Sequence, residues 1–108
     1  MVVHVHGRNI PLTDSLLRTI EERFAGALGR REARVREVRV VVEDVNGPRG
    51  GTDMHCRAEI ALAPRGRLVV DAHDGDLHRA VQAAAKRART SVFRVVDRRR
   101  SGRHGRAA

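Results

Sequence analysis

Residues 36–62 read REVRVVVEDVNGPRGGTDMHCRAEIAL, and how this stretch divides decides the fold. Between Arg36 and Val45, the side chains Val38, Val40 and Val42 fall at every second position. From Met54 to Leu62 the same spacing is kept by Cys56, Ala58, Ile60 and Leu62. A period of two over β-branched and apolar residues predicts two strands, each with one face turned inward. The intervening Asn46–Asp53, NGPRGGTD, joins them. Asn-Gly between such runs signals a hairpin, but Pro48 has no N–H for a ladder and biases Gly47 towards an extended conformation. A wider loop with Arg49 near its tip is therefore expected. The loop is no nucleotide cradle: a Walker motif needs Lys and then Ser or Thr after its second glycine, with a helix behind, and the dinucleotide G-x-G-x-x-G pattern is not met.

Working outward, Val2-Val3-His4-Val5-His6-Gly7 alternates and stops at glycine, predicting a strand with Val3 and Val5 inward and His4 and His6 away from the core. Thr13 is placed to cap a helix, with Asp14 favourable at its positive end, and Leu17, Ile20, Phe24 and Ala27 or Leu28 follow at helical spacing up to Gly29. Beyond Leu62, Pro64-Arg65-Gly66 marks a turn, and Leu68, Val70 and Ala72 give a fourth strand. Asp74-Gly75-Asp76 opens a last helix on which Leu77, Val81, Ala84, Ala88, Val92 and Val95 form one stripe. Arg79, Lys86, Arg87 and Arg94 fall on its other side. The run after Val96 has too few apolar residues to pack and is expected as a flexible basic tail over residues 97–108, leaving residues 1–96 as the domain.

The link from first to second strand is long enough for a crossover, so those strands should be parallel, and the short later links should make an antiparallel meander. The expected fold is α+β: a single βαβββα domain, with a four-stranded mixed sheet and two helices packed on one face, similar to a double-stranded-RNA-binding domain. The opposite sheet face, with His4, His6, Arg39, His55, Arg57, Glu59 and Asp71, should be open to solvent.

A chain of 108 residues with two Phe, no Tyr and no Trp builds one aliphatic core. No apolar run is long enough to span a bilayer, and the N-terminus lacks the layout of a signal peptide, so a cytoplasmic protein without a membrane partner is expected. The lone Cys56 has no partner within the chain for a disulfide and suits a small core hydrophobe better than a nucleophile. The net charge of +9 is distributed one-sidedly, since residues 1–75 hold 12 basic and 11 acidic side chains (+1) and residues 76–108 hold 10 and 2 (+8). Such an excess of guanidinium points to a polyanion, because Arg donates paired hydrogen bonds to phosphate and releases its counterions. Without aromatics to stack bases, backbone and shape of structured RNA are the expected target.

Catalysis finds no support: Ser15, Ser91 and Ser101 have no nucleophile-elbow context, and Asp71, Asp74 and Asp76 read as strand-end and helix-start residues. No small-molecule substrate and no cofactor are expected. His4-x-His6 with Asp53, His55 or His73 could assemble a metal site on the open face, but solvated histidines explain that pattern as well.

Three segments carry a family resemblance. Gly7-Arg8-Asn9-Ile10-Pro11-Leu12-Thr13 looks like a G-(K/R)-x-(I/M)-x-(I/L)-T phrase, Asp76-Leu77-His78-Arg79-Ala80-Val81 like a D-(M/L)-Y-x-A-I helix start, and Cys56-Arg57-Ala58-Glu59-Ile60 like a third strand. With these, residues 2–96 resemble the ribosome hibernation-promoting factors, also called ribosome-associated inhibitor A or sigma modulation proteins, in their short form without a dimerisation domain. The resemblance implies a non-enzymatic translation inhibitor that binds small-subunit rRNA in the mRNA and tRNA channel through basic helix residues. By position it implies phosphate contacts from Arg23, Arg87 and Arg94; Arg79 and Lys86 join them from the charge pattern, and Arg49 from its place in the loop. In this chain His78 replaces the usual aromatic, and Arg79, Lys86 and Arg89 add charge at positions often neutral or acidic. Two other readings stay open: a general RNA- or DNA-binding module acting off the ribosome, and a metal-binding protein using the histidine-bearing sheet face.

Overall fold

The structure, a computed structural model, describes residues 1–46 and 53–107. Strand β1 (Val2–Arg8) leads to helix α1 (Asp14–Leu28) and a 3-10 segment (Gly29–Arg34), followed by β2 (Val35–Asp44), β3 (Met54–Leu62), β4 (Arg67–Asp74) and helix α2 (Leu77–Ala107). The sheet order is β1-β2-β3-β4, with β1 parallel to β2 and the other pairs antiparallel. This is the expected α+β arrangement, and both helices pack on one face of the mixed sheet.

The inward positions of the strands behave as their alternation requires. Val38, Val40, Val42, Cys56, Ala58, Ile60, Leu62 and Ala72 are buried, and they meet Ile20, Phe24 and Leu28 of α1 and Ala80, Val81, Ala84, Ala85, Ala88 and Val92 of α2. No buried polar or charged side chain interrupts this core among the described residues. Helix α1 starts where Thr13 Oγ1 accepts from Leu16 N at 3.1 Å, and α2 where Asp76 Oδ1 accepts from Arg79 N at 3.1 Å. Each cap satisfies an N–H that the helix itself leaves unpaired. Gly7 is required by close approach, since a Cβ there would lie 2.7 Å from the Ile10 carbonyl oxygen. Gly66 sits at a φ of 109° in the β3–β4 turn, a conformation side chains disfavour.

Two boundaries differ from the sequence reading. Strand β2 begins at Val35, which is buried, because the pairing with β3 shifts between Val35 and Glu37 and leaves Arg36 as the extra residue of a bulge. The bulge returns Val35 to the inner face that strict alternation would deny it. The second difference is the end of the last helix: its apolar stripe stops near Val96, but α2 continues to Ala107. Two ties hold its extension to the domain, the Arg31–Asp97 ion pair at 3.1 Å and a hydrogen bond from Arg99 to the Arg65 carbonyl at 2.9 Å. Arginine is also a good helix former, so residues 98–100 favour continuing the helix past the point where the apolar stripe ends.

Beyond Asp44 the β2–β3 hairpin closes once more, with Val45 N donating to the Asp53 carbonyl at 2.9 Å. Arg49 lies outside the described residues.

Candidate nucleic-acid interface

The core stripe of α2 fixes which of its residues face water. With Ala84, Ala88 and Val92 against the sheet, Arg79 and Lys86 point outward about two turns apart, and Arg87 and Arg94 are exposed on a flank. That flank lies beside β4, because the Arg87 guanidinium donates to the Asp71 carbonyl. Part of the Arg87 fork is thereby taken up within the domain, whereas Arg79, Lys86 and Arg94 have no ion-pair partner among the described residues. Arg23 is exposed on α1. Among the described residues the helix layer thus presents cations without an ion-pair partner from α2, joined by Arg23 and Arg18 from α1.

The sequence reading passed over a cluster at the junction of the 3-10 segment and α2. The Phe93 ring, half-buried, carries the Arg31 guanidinium 4.5 Å from its centroid and that of Arg89 at 5.0 Å. Arg89 to Phe93 is a helical i to i+4 spacing and could have been found from the sequence. Arg31 arrives from a distant segment and could not.

The opposite sheet face has a different electrostatic character. Parity places Arg8, Arg39, Arg57 and Arg67 there with Glu37, Glu43, Glu59 and Asp71, so the formal charges balance. They pair locally: Arg39 with Glu37 at 2.6 Å, Arg67 with Glu59 at 3.6 Å and Arg8 with Glu43 at 3.9 Å. The hydrogen bond from Arg39 holds the Glu37 carboxyl below its usual range and raises the Arg39 guanidinium in return. A shallow depression of about 360 Å³ lies between Arg8, Arg39, Arg57, Glu43, Glu59 and His55. On the same face His55 stacks on His73 with centroids 4.3 Å apart, and His73 Nδ1 lies 3.7 Å from Asp53. Among the described residues no three His, Cys, Asp or Glu side chains lie together as a group that could hold a metal ion.

Cys56 is wholly buried, and desolvation pushes its thiol up to about 12. It is a core side chain, inert as a nucleophile at neutral pH. Among the described residues no helix is long and apolar enough to cross a membrane.

Comparison with known proteins agrees with this architecture. The chain is similar over 88% of its length to the N-terminal domain of Thermus thermophilus Protein Y, with 99% of that domain covered, 25% identity and a TM-score of 0.73. A ribosomal subunit interface protein from Coxiella burnetii shares the fold, with a TM-score of 0.76 at 11% identity over 90% of this chain and 99% of that one. Curated protein sequences give no significant match. Residues 3–100 match the model of the family described as sigma 54 modulation protein / S30EA ribosomal protein, and the chain belongs to that family.

Proposed function

We propose that this protein is a ribosome-associated translation inhibitor that binds small-subunit rRNA in the mRNA and tRNA channel, silencing idle ribosomes in the cytoplasm. The family is one of ribosome-associated modulation factors rather than enzymes. One observation carries the molecular reading: the charge excess is confined to the helix side, while the sheet face is balanced by its own ion pairs. A phosphate backbone is attracted to free cations and gains little from arginines already neutralised by glutamate. Arg79, Lys86, Arg94 and Arg23 supply the free cations; Arg87 contributes what its bond to Asp71 leaves available. Arg49 is proposed as a further contact from the β2–β3 loop.

Co-sedimentation with purified small subunits over a salt series tests this. Binding that weakens steeply with salt, and is abolished by replacing Lys86, Arg87 and Arg94 together with Glu, is the expected result. Absence of binding at low salt, or binding indifferent to salt, would refute it. Equal affinity for ribosomes and for an arbitrary nucleic-acid duplex would instead place the protein off the ribosome as a general binding module.

A further inference from the structure

The Phe93 cluster goes beyond the residues assigned so far. Two guanidinium groups share one ring face-on although like charges repel, and two features offset that repulsion. The ring's electron-rich faces attract both cations, and Asp97 neutralises Arg31 at 3.1 Å. Arg31 donates in addition to the Arg30 carbonyl at 3.4 Å, so its charge is met inside the domain and two of its five N–H donors are in use. Arg89 differs. It is exposed, and among the described residues no carboxylate or carbonyl accepts from it.

An arginine held by a ring but free at its N–H edge is prepared for a planar, bidentate acceptor. The ring restricts the side chain before any ligand arrives, so less rotamer freedom is lost on binding. The fork then matches two oxygens of one phosphate. Lys86 stands about one helical turn before Arg89, exposed and without an ion-pair partner among the described residues, and supplies a second cation beside the same point. We propose that Arg89, positioned by Phe93 and accompanied by Lys86, forms a phosphodiester-binding site for structured RNA at the junction of the 3-10 segment and α2. The site rests on the RNA-facing part of the function proposed above and adds the residue that anchors it. Arg89 touches the phosphate; Phe93 acts through Arg89 and Arg31.

Binding of the full chain to a fluorescein-labelled synthetic RNA hairpin, and in parallel to purified small ribosomal subunits, across a salt series tests the site. Arg89→Gln is expected to weaken hairpin binding about tenfold at low salt and to reduce the salt slope by about one, as loss of one phosphate contact requires. Phe93→Leu keeps every charge, so the slope should stay while affinity falls about two- to fivefold, the scale of an exposed cation–π contact. Phe93→Tyr should restore binding, and thermal melts of each variant establish that the fold is kept. Wild-type affinity and slope for Arg89→Gln on both probes would overturn the site. Phe93→Tyr as weak as Phe93→Leu would overturn the role of the ring. Hairpin binding that depends on Arg89 without any subunit binding would leave the site standing and remove the ribosomal reading. A wild-type chain that binds neither probe would overturn both.

Discussion

Replacing Arg79 and Lys86 together with Gln discriminates between the two sides of the domain, because its counterpart, Arg39→Gln with Arg67→Gln, removes the same charge from ion-paired positions on the sheet face. Arg79 and Lys86 are exposed on α2 with no ion-pair partner among the described residues, whereas Arg39 is held by Glu37 at 2.6 Å. Each phosphate contact contributes about 0.7 to 0.9 to the slope of log affinity against log salt. Loss of two contacts should therefore reduce the slope by roughly 1.4 to 1.8. Across a fourfold rise in salt, the wild-type chain should lose about tenfold more affinity than the helix variant. Surface substitutions of this kind change stability by only about 0.5 kcal/mol, so altered binding would not reflect unfolding. The assay is sedimentation with small subunits at stepped potassium chloride concentrations, with far-ultraviolet circular dichroism on each variant. A helix variant with the wild-type slope, or a sheet-face variant with an equal loss, would refute the assignment of the RNA-facing side to the helices.

Two further outcomes concern the core. Phe24 is fully buried and packs α1 on the sheet, so Phe24→Ala should cost about 3 to 5 kcal/mol, read as a fall in the urea midpoint; a loss below about 1 kcal/mol would contradict its central place. Burial pushes the Cys56 thiol from its ordinary value near 9.0 up to about 12. Its contribution to stability is thus fully present below pH 9 and is lost as pH rises towards 12, because the unfolded chain releases the proton first. Urea melts of wild type and Cys56→Ala between pH 7 and 10.5 check the sign: the wild type should lose stability relative to the variant above pH 9. An unchanged difference would show that the thiol is not buried.

Much of this was legible along the chain. Alternation at Val38, Val40 and Val42 and at Cys56, Ala58, Ile60 and Leu62 defined two inward faces, because a strand's side chains must point to opposite sides in turn. The caps at Thr13 and Asp76 were legible for a similar reason, since a side-chain oxygen needs only the next turn's N–H groups. The outward cations of α2 followed from the apolar stripe. Less accessible was the use made of them: Arg87 reads like Arg79 in the sequence, yet it bonds to the carbonyl of Asp71 across the packing of α2 on β4.

The sequence by itself determined the order of elements, the inner face of each strand and the concentration of positive charge in the last third, all properties of spacing between near neighbours. Tertiary structure alone decided the rest. It turned Val35 inward through the bulge at Arg36, and it tied α2 past Val96 by joining Asp97 to Arg31, 66 residues away. It also set that same Arg31 against Phe93 and Arg89. Local periodicity carries no record of contacts between segments so far apart, because they exist only once the sheet has brought the 3-10 segment and the middle of α2 together.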